Sequence, residues 1–296
     1  MTHAHLPDPN LETRPLRLPG WLARRPLETL EEGAFASGAA LALLERAQAN
    51  GAAPQALWRA RLALGAAAQS VRLSGRSEPE AALRDIICLL RPGEQPGPAG
   101  EIAQAWRLAA TRPLSDASLQ RALPGLSAQQ IGVWDRGGHG GPVAQAAQVI
   151  EAVLSDAPRA HLAALILGDA VLARSFGWTH LVPLLESNLP RRELKLRGDA
   201  LRLACHTALV KSVRDALALA TGLTRRAVRL HSVAPKLRSK QAAIAVEMFL
   251  TRDAIAPAAL VPLMSDRAAR RLCDRLVGLG AVRELTGRDT FRLYGL

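Results

Sequence analysis

Apolar and small residues recur every three or four positions along most of this chain, the spacing of helices with one buried face. The segments 33–50 (GAFASGAALALLERAQAN) and 54–73 (PQALWRARLALGAAAQSVRL) carry the pattern most plainly, and Pro54 suits the first turn of the second. Residues 78–90 predict a further helix. RPGEQPGPAG at 91–100, with three prolines and three glycines, predicts a loop behind it. Helical spacing resumes at 101–112 and 115–123, with Ser115 and Ser127 as N-caps for the latter and for a short helix after it. DRGGHGGP (135–142) predicts a flexible turn. Two more runs, 143–155 and 159–176, lead to a break at Gly177 and a segment through Leu185, and helices over 194–219 and 222–232 follow. No alternating strand pattern occurs before residue 280.

The pattern changes after residue 236. Ser239 is placed to cap a helix through Leu250, and Ala254-Ile255-Ala256 reads as a short extended piece. Pro257 opens a second helix through Leu263, and Ser265 caps a third, Asp266 to Leu279, stopped by Gly280. Two short strands, Ala281 to Leu285 and Thr290 to Tyr294, flank the turn Thr286-Gly287-Arg288-Asp289. That order is a winged helix-turn-helix. The predicted fold class is therefore mainly α, with an extended lead-in over 1–32, a helical bundle over 33–190, a basic helical connector over 191–235 and a winged helix-turn-helix over 236–296.

At about 100° per residue, Arg270, Arg271, Asp274 and Arg275 fall within about 80° of Arg267 on the third helix. Ala269, Leu272, Cys273, Leu276 and Leu279 form the opposite, apolar stripe. In helix-turn-helix geometry the outward face enters the major groove, where arginine grips guanine edges or phosphates. Arg288 at the wing tip and Arg292 on the second strand are placed for the flanking backbone or minor groove. A polar face is also what any amphipathic helix must have, so a solvated or protein-binding face is the alternative.

Charge locates the same end of the molecule. Of 296 residues, 38 are basic and 26 acidic, a net charge of +12. Residues 1–190 hold 17 of each sign, and residues 191–240 hold 13 basic against 3 acidic. Three clusters carry the excess: Arg191, Arg192, Lys195 and Arg197; Arg225, Arg226 and Arg229; and Lys236, Arg238 and Lys240. Such clusters suit phosphate attraction, or an acidic protein partner.

Other chemistry has little support. The three cysteines lie far apart without CxxC spacing, which speaks for a reducing cytoplasm and against a disulfide framework. No apolar run reaches the roughly 20 residues that a membrane span needs. DRGGHGGP lacks the preceding strand and the Lys-Ser/Thr ending of a phosphate loop. Cys205 and His206 are helix neighbours and point apart, so a metal site there is not expected. His161 and Asp169 share a helix face, but no nucleophile motif lies near; Asp169 is expected to bond an arginine inside the bundle. Trp178 beside Gly177 reads as a packing anchor. No catalytic residue, cofactor or metal is expected.

FASGAALALL (35–44), ALRDIICLLRPGEQPGPAGEIAQAWR (82–107), LGDAVLARSFGWTHLVPLL (167–185) and SDRAARRLCDRLVGLGAVRELTGRDTFRLYGL (265–296) together resemble a bacterial family catalogued as domain of unknown function 1403. The resemblance implies an association with plasmids and other accessory replicons, hence DNA maintenance or transcriptional control, and assigns no catalytic residue. The expected function is non-catalytic double-stranded DNA binding in the cytoplasm, at nucleoid or plasmid. A homodimer and a replicon-maintenance protein are the expected partners. The alternative is a protein–protein adaptor, the linker subunit of a chromosome- or plasmid-organising complex, whose winged helix docks a protein.

Overall fold

Helix caps and buried stripes set the architecture. The computed structural model describes residues 17–23, 26–91, 93–134, 138–237 and 241–296. Arg238, Ser239 and Lys240 lie outside them, as do residues 1–16 and 135–137. After a single turn, α1 (Gly20–Ala23), comes α2 (Leu30–Ala49). Its start is fixed by Thr29, whose side chain accepts from Glu32 N–H while the Glu32 carboxylate accepts from Thr29 N–H. This reciprocal cap satisfies two otherwise orphaned donors, so the helix opens three residues earlier than its apolar pattern does. The chain continues through α3 (Gln55–Leu73), α4 (Glu80–Leu89), α5 (Gly97–Thr111), α6 (Asp116–Ala122) and α7 (Ala128–Trp134). The loop expected at 91–100 ends early, because Pro98 sits in the first turn of α5, where its missing N–H costs nothing.

The second half of the body contains α8 (Pro142–Asp156), α9 (His161–Ser175), the short α10 (Leu185–Asn188) and α11 (Gly198–Val233). Most of the stretch expected as a connector is thus one 36-residue helix packed along α2 and α8. It does not break at Gly222, although two helices are expected there. Interior glycine costs about 1 kcal/mol. Burying Leu217, Leu223 and Leu230 on either side of it returns roughly 1.5–3 kcal/mol each, so continuity wins. The α2–α11 contact is close because Gly33 lacks a side chain: a Cβ there would lie 3.0 Å from His206 Cβ. Indole bonds tie the layers, from Trp58 Nε1 to Ala216 O (2.9 Å) and from Trp106 Nε1 to Ser70 Oγ (2.8 Å).

The C-terminal segment follows with α12 (Ala242–Thr251), a 3-10 turn at Pro257–Leu260, α13 (Asp266–Gly278), and strands β1 (Arg283–Glu284) and β2 (Tyr294–Gly295). The fold is mostly helical with this small antiparallel sheet near its end, Glu284 facing Tyr294 and Arg283 facing Gly295. Ile255 and Tyr294 exchange backbone bonds of 2.8 and 2.9 Å on the other edge of β2. The helix expected from Pro257 through Leu263 is only a 3-10 turn, and the strands are shorter than expected, with β2 starting four residues later so that Arg292 precedes it. Beside β1, Thr286 N–H and Gly287 N–H donate to the Glu284 carboxylate and take the chain into its turn.

This segment shares its core with the body: Phe249, Leu260, Leu272 and Leu276 belong to the same buried cluster as Trp58 and Leu167. Its edge is bound by charge. Asp253 receives Arg61 of α3 and Arg84 of α4, the latter at 2.6 Å, and Arg61 Nη2 also donates to Leu296 O at 2.9 Å. All three charged side chains are largely buried.

Candidate functional site

Helix α13 is held at both ends. Ser265 Oγ accepts from Ala268 N–H at its start. At its finish Gly280, at φ +65°, lets Gly280 N–H reach Val277 O and Ala281 N–H reach Leu276 O, the two bonds of a left-handed stop. Arg229 of α11 completes the cap by donating to Leu279 O at 2.9 Å. Ala269, Leu272, Cys273 and Leu276 are buried, so the opposite face is directed outward.

Arg267, Arg270, Arg271 and Arg275 are all exposed on that face. Arg270 pairs with Asp266 one turn back (2.9 Å), and Arg275 donates to Lys236 O at 3.2 Å. Arg267 and Arg271 have no ion-pair partner among the described residues. Asp274, within the same face, accepts from the Tyr294 hydroxyl at 3.3 Å.

The Arg275 and Arg229 contacts bring the end of α11 and exposed Lys236 against the C-terminal end of α13. Exposed Arg225 lies one turn before Arg229. Half-buried Arg226 has its pKa lowered by burial and then by the neighbouring Arg283 and Arg61 cations. Positive charge thus gathers here. Exposed Arg283, the first residue of β1, joins this group and was missed as a candidate; its signal is an outward strand position beside a basic helix. The cluster Arg191, Arg192, Lys195 and Arg197 lies before the opposite end of α11, a helix of ~54 Å at 1.5 Å per residue.

The hairpin tip is differently engaged. Arg288 makes a two-pronged ion pair with Asp85 of α4 (2.7 and 3.0 Å) and donates to Phe291 O at 2.8 Å. Phe291, at φ +52°, is a non-glycine residue in the left-handed region, held there in part by that bond. Arg292 pairs with Asp289 at 3.1 Å and donates to Arg288 O. Arg288 therefore clasps the hairpin to the body; a flanking phosphate would have to compete with Asp85.

The remaining candidates sit apart from this surface. Asp169 is fully buried and accepts from Leu184 N–H and Leu185 N–H, both at 3.1 Å. The arginine expected beside it is replaced by backbone donors, because the chain reverses there into α10. Burial raises its pKa to about 8, against the downward pull of those two donors. His206 Nδ1 lies 2.7 Å from Ser37 Oγ, and burial, then Arg202, lowers its pKa to about 4. Burial pushes the thiols of Cys205 and Cys273 to about 12 and that of Cys88 to about 11. Trp178 stacks on Phe176 with ring centroids 5.2 Å apart. Among the described residues no group of three or more His, Cys, Asp or Glu could hold a metal, and no helix is long and apolar enough to cross a membrane.

A mostly helical body ending in a small hairpin, with an arginine-faced helix at its surface, is the class that fold and site define. The chain belongs to the family described as protein of unknown function (DUF1403), whose profile matches residues 9–296. No curated protein and no solved structure matches it.

Proposed function

We propose that this protein is a non-catalytic, double-stranded DNA-binding protein and that residues 241–296 are its winged helix. The order α12, extended Ile255, 3-10 turn, α13 and hairpin supports that topology, with Ile255 bridged to Tyr294 of β2 where a third strand would lie. On this reading Arg267, Arg270, Arg271 and Arg275 face the major groove, with Lys236, Arg225 and Arg229 on phosphates beyond its C-terminal end. The observation that carries the proposal is the meeting of exposed Arg275 with Lys236 across α13 and the end of α11. It joins two basic groups distant in sequence into one patch. A protein–protein adaptor would not require that junction. Plasmid or nucleoid maintenance, segregation or transcriptional control is the setting that the family resemblance suggests.

Fluorescence anisotropy with a labelled duplex of about 30 base pairs tests this reading. Replacing Arg267, Arg270 and Arg271 together by alanine should weaken binding by at least ~100-fold, about 1 kcal/mol or more per lost contact. Replacing Arg191, Arg192 and Lys195 should change it by less than ~3-fold. Equal effects of the two variants would point to diffuse charge attraction, and the α13 assignment would fall.

A further inference from the structure

The chain has only four phenylalanines, five tryptophans and one tyrosine, yet two of these rings lie together in water. Trp21 of α1 and Phe35 of α2 are 55% and 67% exposed, with ring centroids 5.5 Å apart. Leaving such side chains in solvent forgoes part of the stabilisation that burying an apolar ring gives. The opposite face of α2 is already spent against α11, where Gly33, Ala36, Ala40 and Leu44 are buried.

The outward face of α2 has an internal order. Glu31, Phe35, Gly38, Ala39, Ala42 and Arg46 fall within about 100° of arc at ~100° per residue. All are exposed except half-buried Ala39. Neither Glu31 nor Arg46 has an ion-pair partner among the described residues. Read against its own reverse about the point between Gly38 and Ala39, the face is self-complementary. Glu31 then comes level with Arg46 and Phe35 with Ala42, while Gly38 and Ala39 flank the axis and each sits beside its own copy. Acid faces base at both ends, and each aromatic ring faces the space that an alanine leaves. Glu32 and Glu45 lie on opposite flanks of the face, so the same rotation does not bring them together.

We propose that this face of α2, with Trp21 beside it, is where a second copy of the chain docks, the two helices antiparallel about a two-fold axis between Gly38 and Ala39. The isologous arrangement uses one patch twice and closes on itself. A 20-residue helix offers about 30 Å of contact length. The contact is therefore at the small end of specific interfaces, and the dimer forms at micromolar concentration. The proposal is independent of DNA binding, because the face lies on α1 and α2 and uses none of the α13 arginines.

Sedimentation equilibrium of the full chain without DNA, from ~1 to ~100 µM, tests it, with a thermal melt of each variant as the folding control. The wild type should pass from 31.6 kDa toward twice that mass. Glu31→Lys and Arg46→Glu should each weaken the dimer roughly tenfold, about 1.4 kcal/mol. The doubly swapped chain should return to within ~3-fold of the wild type, because acid and base have only exchanged places. Ala42→Glu, which blocks the site facing Phe35, should abolish dimerisation while leaving the melt unchanged. A monomer at every concentration would overturn the proposal. So would single swaps without effect, or a double swap no better than either single one.

Discussion

Glu186 is 1% exposed, and among the described residues neither of its carboxyl oxygens has a hydrogen-bond partner of normal geometry. Burial raises its pKa well above the usual carboxylate range, Ser70 pulling the other way and the Asp169 charge adding to the rise. Asp169, raised to about 8, behaves alike. Both groups hold a proton in the folded state that the unfolded chain releases once the pH passes ~4. The stability they permit is complete below that point and falls as pH rises, by roughly 1.4 kcal/mol per pH unit per group, until the folded pKa is reached. Glu186→Gln, which cannot ionise, should gain progressively on the wild type as pH rises above ~5 in urea unfolding. An offset that does not vary with pH would mean that Glu186 is not protonated in the fold. At this scale the chain's lettering says little. Asp169 stands out as a lone acid among apolar residues, but its partners, two backbone N–H groups some fifteen positions on, are set by a chain reversal that no local pattern announces.

Among the elements, those with a single packed face were readable and the junctions were not. α3, α8 and α9 appear within a few residues of where their apolar spacing puts them. The start of α2 was in the letters, as Thr29 with Glu32 three positions on, but caps act through side-chain bonds that hydrophobic periodicity does not report. The continuity of α11 through Gly222 is a packing result, decided by the leucines buried on either side of that glycine. The way the C-terminal segment is held was hidden for the same reason, since Arg61, Arg84 and Asp253 are up to 192 positions apart. Removing Asp253 leaves two largely buried cations without their anion, so Asp253→Ala should cost about 3–5 kcal/mol in urea unfolding. Asp85→Ala breaks the Arg288 clasp at a site about a third exposed and should cost about 1 kcal/mol or less. Equal losses would mean that burial does not govern these contacts.

For the molecule as a whole, composition located the charge and the fold gave it a shape. The excess in residues 191–240 was visible in the letters. That Arg225, Arg226, Arg229 and Lys236 gather at the end of α13 while the first cluster lies ~50 Å away was not, because it depends on one long helix running between them. Arg288 and Arg292, expected to extend the basic surface onto the hairpin, bond to Asp85 and Asp289. Of the expected outward arginines, the four on α13 are exposed, and Arg283 adds to the surface beside them.

The central claim, that α13 and the end of α11 together grip a polyanionic duplex, is tested most directly by the salt dependence of DNA binding by the full chain. Log K against log[salt] should fall with a slope of about −4 or steeper, about −0.9 per phosphate for at least ~4 phosphates. The combined Arg225→Ala and Lys236→Ala variant should lower that slope by about 2 while keeping any preference among duplexes. No measurable binding at ~10 µM protein and ~50 mM salt, where even non-specific DNA-binding proteins bind well, would contradict the account.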